Sequence, residues 1–180
     1  MRRAILVLAL LLASLTLEAA PAYAPTTCRF SDATVSHAFH PDNEALWGRF
    51  VSAELARPGD QQGDLRARAD VSGLWERYRL ECLDPFQSVY AIKSVANGRY
   101  VSAEIGWTGD RYGQLRARAT AVGPWERFRI TEDNEFVAII RSMANNSLVT
   151  EEAGWTGDRR GLLRARGATS VGDWERFIIY

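Results

Sequence analysis

Histidine, cysteine and methionine are scarce: the chain has two cysteines, two methionines and two histidines in 180 residues, and Lys93 is its one lysine. His37 and His40 leave no material elsewhere for a Ser/His/Asp or Cys/His nucleophile system, which depends on an imidazole base. They also make a poor metal site, because a spacing of three on a strand sends them to opposite faces, and no third histidine or cysteine lies nearby in sequence. No glycine-rich phosphate loop joins a strand to a helix, so neither metal nor cofactor is expected. The formal net charge is zero, with 22 basic and 22 acidic residues. The surplus of positive charge that displaces counterions from nucleic acid is therefore missing.

Long hydrophobic runs are missing too, with one exception. Arg2 and Arg3 precede an apolar run over residues 4–17, and small-residue sites follow at Ala20/Ala22 and Ala22/Ala24. That pattern reads as an export signal over residues 1–24, cut after Ala22 or Ala24. The run falls short of the roughly twenty residues that span a bilayer, so no membrane span is expected. Without Arg2, Arg3 and Glu18 the balance is 20 basic to 21 acidic residues. An irregular lead-in over residues 25–34 and one domain over residues 35–180 remain, secreted and expected to be monomeric. In an oxidising compartment Cys28 and Cys82 are expected to pair, stapling the lead-in onto the folded body.

What the chain has in abundance is itself. Trp-Glu-Arg followed by an aromatic occurs at residues 75–78, 125–128 and 174–177, and each copy closes the same longer sentence. Residues 48–80 and 98–130 share about nineteen identities in thirty-three positions without a gap. The third copy, over residues 148–178, keeps Gly-Asp, Leu-Arg-Ala-Arg and Trp-Glu-Arg after a small insertion. A period of about fifty residues marks one supersecondary unit used three times, at about 35–84, 85–132 and 133–180. In the middle copy the pattern is that of strands: Val89 to Ser94, Arg99 to Glu104, Leu115 to Ala119 and Arg127 to Ile130, separated by turn residues. In the Leu115 to Ala119 run the period of two sends Leu115, Ala117 and Ala119 inward and both arginines outward.

Four strands in each of three units give about twelve. Propellers usually need four to eight blades, so three copies argue for an all-β β-trefoil, with a threefold β-prism second. The residues Asn97-Gly98-Arg99-Tyr100-Val101-Ser102-Ala103-Glu104, then Leu115-Arg116-Ala117-Arg118, then Gly123-Pro124-Trp125-Glu126-Arg127-Phe128 resemble the repeat of fascin-like β-trefoils. The resemblance runs from about Phe39 to Tyr180. It departs at Ala67-Arg68, Ala117-Arg118 and Ala165-Arg166, where fascin-like repeats often carry Ala-Asn, and this weakens the inference to actin bundling. The Gln-x-Trp repeat of ricin-type lectins is missing.

Residues present in all three copies are expected to serve the shared core. Trp75, Trp125 and Trp174 are read as buried plugs. Glu54, Glu104, Glu152, Glu76, Glu126 and Glu175 are read, with the arginines of the Leu-Arg-Ala-Arg strands, as charges on outer strand faces that pair across strands. Paired carboxylates would also suit a glycosidase, but the repeat offers no carboxylate with a distinctive partner.

Candidates for function lie where the copies disagree. The second hairpin loop keeps Gly-Asp and a closing Gly in all three copies, whereas Trp107 and Trp155 face Arg57 in the first. A core does not usually accept Arg in place of Trp, so both rings are read as partly exposed or as lids over their hairpins. An exposed ring beside polar groups suits a sugar, whose apolar face stacks while its hydroxyls hydrogen-bond. The ligand-binding candidates are Trp107, Asp110, Arg111, Tyr112, Trp155, Asp158 and Arg159. The expected function is a non-catalytic module for extracellular or cell-wall carbohydrate, with two or three weak sites gaining by avidity. The resemblance implies, as an alternative, a protein-interaction module of the actin-binding type; a glycoside hydrolase ranks third.

Overall fold

The computed structural model describes residues 27–30, 39–42, 48–133, 137–166 and 170–180. Residues 1–24, expected from the sequence to be an export signal, lie outside the described residues with His37 and most of the lead-in, and His40 is described in its backbone alone. Twelve strands are present among them: β1 (Phe39–Pro41), β2 (Phe50–Glu54), β3 (Asp64–Ala69), β4 (Tyr78–Asp84), β5 (Val89–Ser94), β6 (Tyr100–Ala103), β7 (Leu115–Ala119), β8 (Phe128–Glu132), β9 (Val137–Ser142), β10 (Val149–Glu151), β11 (Leu163–Ala165) and β12 (Arg176–Ile179).

Their pairing follows the triplication. Antiparallel ladders run β1–β12–β9–β8–β5–β4 and make a six-stranded wall. Across the remaining seam, the Phe39 ring on β1 packs 5.2 Å from that of Tyr78 on β4. Three hairpins, β2–β3, β6–β7 and β10–β11, form a cap over one end of the wall. Their second strands converge on a pseudo-threefold axis: Asp64 of β3 pairs with Arg116 of β7, and bridges link Arg66 to Leu162 and Gln114 to Arg164. The molecule is a β-trefoil.

The core repeats in the same way. Tyr78, Phe128 and Phe177 are fully buried, and Leu65, Leu115 and Leu163 fill the next layer with Val51, Val101 and Val149. Burial of Tyr78 is tolerated because its hydroxyl donates to the Val51 carbonyl oxygen at 3.2 Å.

The tryptophans of the Trp-Glu-Arg signature are not among these plugs. Trp75 and Trp125 are half-buried and Trp174 is 44% exposed, whereas the glutamates beside them are buried. Each signature lies in a short 3-10 turn, Leu74–Glu76, Pro124–Glu126 or Asp173–Glu175. The glutamate turns back to accept the amide of Gly73, Gly123 or Gly172 at 2.7 to 2.9 Å. Its other oxygen accepts the hydroxyl of Ser52, Ser102 or Thr150 on the hairpin's first strand. The recurrent acid thus ties the turn to the cap, and the aromatic two residues later enters the core. The tryptophan instead lies over the mouth of the second hairpin loop: a Cβ on Gly106 would sit 3.1 Å from Trp125, and one on Gly154 would sit 3.4 Å from Trp174.

The disulfide forms as expected. Cys28 and Cys82 are joined across a Cα–Cα distance of 5.6 Å. Around it Arg29 pairs with Glu132 of β8, and the Phe30 amide donates to the Tyr90 hydroxyl on β5 at 3.4 Å.

Candidate functional site

The recurrent charges of the cap are inside it. Glu54, Glu104 and Glu152 are at most 5% exposed, and Arg116 and Arg164 are buried with them. They are not on outer strand faces, as alternation alone predicts; only the second arginine of each strand, Arg68, Arg118 or Arg166, faces outward. Two guanidinium groups attend each acid. Glu104 pairs with Arg118 and, at 3.6 Å, with Arg116. Glu152 pairs with Arg166 at 2.5 Å and Arg164 at 3.2 Å. Glu54 pairs with Arg68 and, at 3.6 Å, with Arg57. A buried carboxylate needs such partners to offset its lost hydration.

The first arginine of each strand reaches into the loop of a neighbouring repeat. Arg116 donates to the Gln62 carbonyl at 2.8 Å, Arg164 to that of Tyr112 at 2.8 Å, and Arg66 to that of Arg160 at 2.7 Å. These carbonyls end the 3-10 turns Gly59–Gln61, Gly109–Arg111 and Gly157–Arg159 at the tips of the hairpin loops. Gly113 closes one loop with φ 73°, and a Cβ there would stand 2.5 Å from the Ala165 carbonyl oxygen, so the loops approach as closely as backbone allows.

Above these turns a second ring of charges closes the axis. Arg111 pairs with Asp60 at 3.2 Å, Arg159 with Asp110 at 2.5 Å, and Arg57 with Asp158 at 3.1 Å. The last link explains the odd residue of the first repeat. Gln61 stands where the other copies have Arg111 and Arg159, and Arg57, from the tryptophan position, supplies the missing cation. Its hydrogen bond and charge hold the Asp158 carboxyl below the usual carboxylate range.

Within this ring lies a pocket of about 300 Å³, lined by loops of all three repeats. Of the seven binding candidates, Asp110, Arg111, Trp155, Asp158 and Arg159 line it. Arg57, Asp60, Gln61, Asp64, Gln114 and Leu162 join them. Trp107 and Tyr112 lie outside its lining. Trp107 is half-buried, with the Arg111 guanidinium 3.7 Å from its ring centre, and it packs as a lid within its own hairpin. Tyr112 is half-buried, and its hydroxyl accepts from Asn145 at 3.3 Å. Trp155 is half-buried, with Arg159 and Arg164 at 4.7 and 5.0 Å from its ring centre. The three loops thus build one shared pocket where separate sites on separate loops were expected.

Asp64, Gln114 and Leu162 occupy equivalent places, each just after the closing glycine of its loop, and all three are buried. Burial pushes the Asp64 carboxyl up to about 7, against the opposing pull of Arg116, the Gln114 hydrogen bond, Arg57 and Arg111. Its Oδ1 accepts no hydrogen bond from any described residue, and Arg116 Nε stands 3.5 Å away. Reading the repeat missed this acid, although the signal was present: Asp, Gln and Leu at one position is a larger change than any in the surrounding strand. No group of three histidine, cysteine or acidic side chains among the described residues could hold a metal ion. No helix among them is long and apolar enough to cross a membrane.

No family model matches the chain, and no curated protein sequence matches it. Solved structures do. A designed threefold-symmetric protein, ThreeFoil, is similar with a TM-score of 0.64 and 16% identity, over 80% of this chain and 96% of that one. The BEL β-trefoil is similar with a TM-score of 0.60 and 15% identity, over 81% and 92%. A lectin of Polyporus squamosus, solved with a sialylated trisaccharide epitope, is similar with a TM-score of 0.61 and 14% identity, over 80% of this chain and 48% of that one. Other matches are to parts of larger chains, an exo-β-1,3-galactanase of Clostridium thermocellum and a mosquitocidal holotoxin among them. At these identities the similarity establishes the fold and nothing finer.

Proposed function

We propose that this β-trefoil is a secreted, non-catalytic carbohydrate-binding module, and that its site is the axial pocket of the hairpin cap. The observation that carries the reading is the convergence, in one pocket of about 300 Å³, of Trp155 with three Arg–Asp pairs. Each pair sets a donor beside an acceptor, which matches the hydroxyls of a sugar, and the ring balances its own charge, which favours a neutral ligand. Trp155 supplies the one large ring at the edge of the pocket. The lectin among the structural relatives supports the reading. The disulfide and the apolar leader with its small-residue sites favour an extracellular place of action.

Binding without turnover is favoured by the state of the acids. Glycoside hydrolysis needs a protonated acid and a second carboxylate free to act as base or nucleophile. Asp64 has the raised pKa of the first, but Asp60, Asp110 and Asp158 are each committed to an arginine. Retention of the mature protein on cellulose, chitin, xylan and insoluble β-1,3-glucan tests the proposal. Retention on at least one is expected, lost in Trp155→Ala and kept in Trp107→Ala, whose ring lies outside the pocket. Wild-type protein that stays in solution with all four, or that hydrolyses chromogenic glycosides, overturns it. Co-sedimentation with actin filaments in place of glycan retention would instead support the protein-interaction reading.

A further inference from the structure

The junctions between neighbouring repeats are built alike and finished differently. Where the second repeat meets the third, Asn145 donates to the Ala165 carbonyl at 2.7 Å and to the Tyr112 hydroxyl at 3.3 Å, so the tyrosine of the hairpin loop packs against the turn before β10. Where the first meets the second, Asn97 donates to the Ala117 carbonyl at 2.9 Å in the same way. The tyrosine is replaced there by Gln62, whose amide folds back to donate to the Leu55 carbonyl at 3.3 Å. A groove of about 420 Å³, lined by Gln62 and Asn97, opens where the other junction has its ring.

The charge of this groove is one-sided. Arg99, Arg116 and Arg118 line it, and none of the described residues that line it is an acid. Arg116 and Arg118 lean on the buried Glu104 behind it, Arg118 with two of its three nitrogens. Arg99 has no such partner. Its side chain is exposed and forms no hydrogen bond or ion pair with any described residue. Comparison of the repeats shows why: its counterpart Arg49 pairs with Asp70, but the second repeat carries Thr120 in place of that aspartate, and the third carries Ser147 in place of the arginine. The turn that bears Arg99 is nonetheless fixed, because Asn97 Oδ1 accepts the Arg99 amide at 3.0 Å.

We infer that this groove is a second ligand site, in which Arg99, with Arg118 and Gln62 beside it, takes the carboxylate or sulfate group of an acidic saccharide. A guanidinium presents a planar fork of donors that fits two oxygens of such a group. The Gln62 amide oxygen accepts no hydrogen bond from a described residue, and it offers an acceptor to a hydroxyl next to the acid. A formal net charge of zero supplies no broad positive field for nucleic acid or an anionic membrane, so selection falls to these few fixed groups. The groove shares no lining residue with the axial pocket. The anion follows from the groove itself, and the saccharide that carries it rests on the carbohydrate reading above.

Calorimetry with polygalacturonate, dextran sulfate and unmodified dextran tests the site on wild type, Arg99→Ser and Gln62→Tyr. Wild type is expected to bind at least one of the two acidic polymers about tenfold or more tightly than dextran, and more weakly as salt rises. Arg99→Ser removes the free cation, and Gln62→Tyr gives the groove the ring of the other junction. Each is expected to weaken acidic binding about tenfold or more at an unchanged melting temperature, whereas Trp155→Ala leaves it at the wild-type level. Acidic binding that depends on Arg99, in a protein retained on no neutral polysaccharide, would support this site and remove the axial one. Wild type that binds neither acidic polymer, or binding undiminished in both variants, would overturn the inference, and retention on a neutral polysaccharide would then leave the carbohydrate reading in place. Duplex DNA or phosphatidylserine vesicles bound as tightly as the acidic polymers would show a general attraction to negative charge and overturn it equally.

Discussion

At the scale of single residues, the Trp-Glu-Arg signature divides its labour in an order that the sequence conceals. Three identical copies of a tryptophan invite the assumption that the largest apolar side chain is the plug. In the structure the glutamate is the buried member, because the turn it closes leaves a glycine amide and a strand hydroxyl with no other partner. Glu126→Ala strips the acceptor from both the Gly123 amide and the Ser102 hydroxyl. Each buried orphan costs about 1 to 3 kcal/mol, so the variant is expected to lose about 2 to 6 kcal/mol in chemical denaturation. Trp125→Ala removes a half-buried ring that touches Gly106, and is expected to cost less than the glutamate substitution. The reverse order would restore the tryptophan as the core element. Spacing and identity made the recurrence legible at these positions. Which member of the triplet faces inward depends on a 3-10 turn, and a two-residue alternation does not register one.

At the scale of the hairpin elements, the legible and illegible parts are separated by one arginine. In the middle repeat the sequence placed strands at Val89 to Ser94, Arg99 to Glu104, Leu115 to Ala119 and Arg127 to Ile130; the structure has them within two residues of those limits. The loops between them were readable as turns, and five of the seven binding candidates do meet in one pocket. The ring of Arg–Asp pairs that gathers them was not readable, because every link joins different repeats across 49 to 101 residues of chain. Arg57 illustrates this. Read against Trp107 and Trp155 it marks exposure; in three dimensions it replaces the cation that Gln61 withholds. The swap can be reversed by design. Arg57→Trp alone leaves Asp158 without its arginine, and its carboxyl is expected to titrate nearer the ordinary aspartate value. Adding Gln61→Arg rebuilds the link in the pattern of the other two repeats and draws the titration down again. NMR titration of the Asp158 carboxyl checks both steps, and an unchanged titration in Arg57→Trp would show that Arg57 does not hold it. The link to Asp158 adds little to global stability, since that carboxylate is exposed and screened; the stability cost of Arg57→Trp falls on the buried Glu54, which keeps Arg68 and loses its second guanidinium.

At the scale of the whole molecule, two kinds of fastening act at different places. The cap is closed by its own cyclic contacts: the inner arginines hold neighbouring loop carbonyls, and Asp–Arg pairs link the loop tips. The disulfide instead fixes the lead-in, where Cys28 meets Cys82 on β4 and the flanking Arg29 and Phe30 lean on β8 and β5. Its sequence separation of 54 residues means that reduction returns a long loop's freedom to the unfolded chain, a loss of about 3 to 4 kcal/mol in the chain-entropy account. None of the residues lining the axial pocket belongs to the lead-in or to β4. Cys28→Ser with Cys82→Ser is therefore expected to lower the melting temperature while leaving glycan retention below that temperature at the wild-type level. Calorimetry and the polysaccharide assay on the same preparation separate the two quantities. Retention that falls in step with stability would show that lead-in and cap form one cooperative unit, whereas unchanged retention beside a lowered melting temperature would establish that the pocket is held by the threefold contacts of the cap alone.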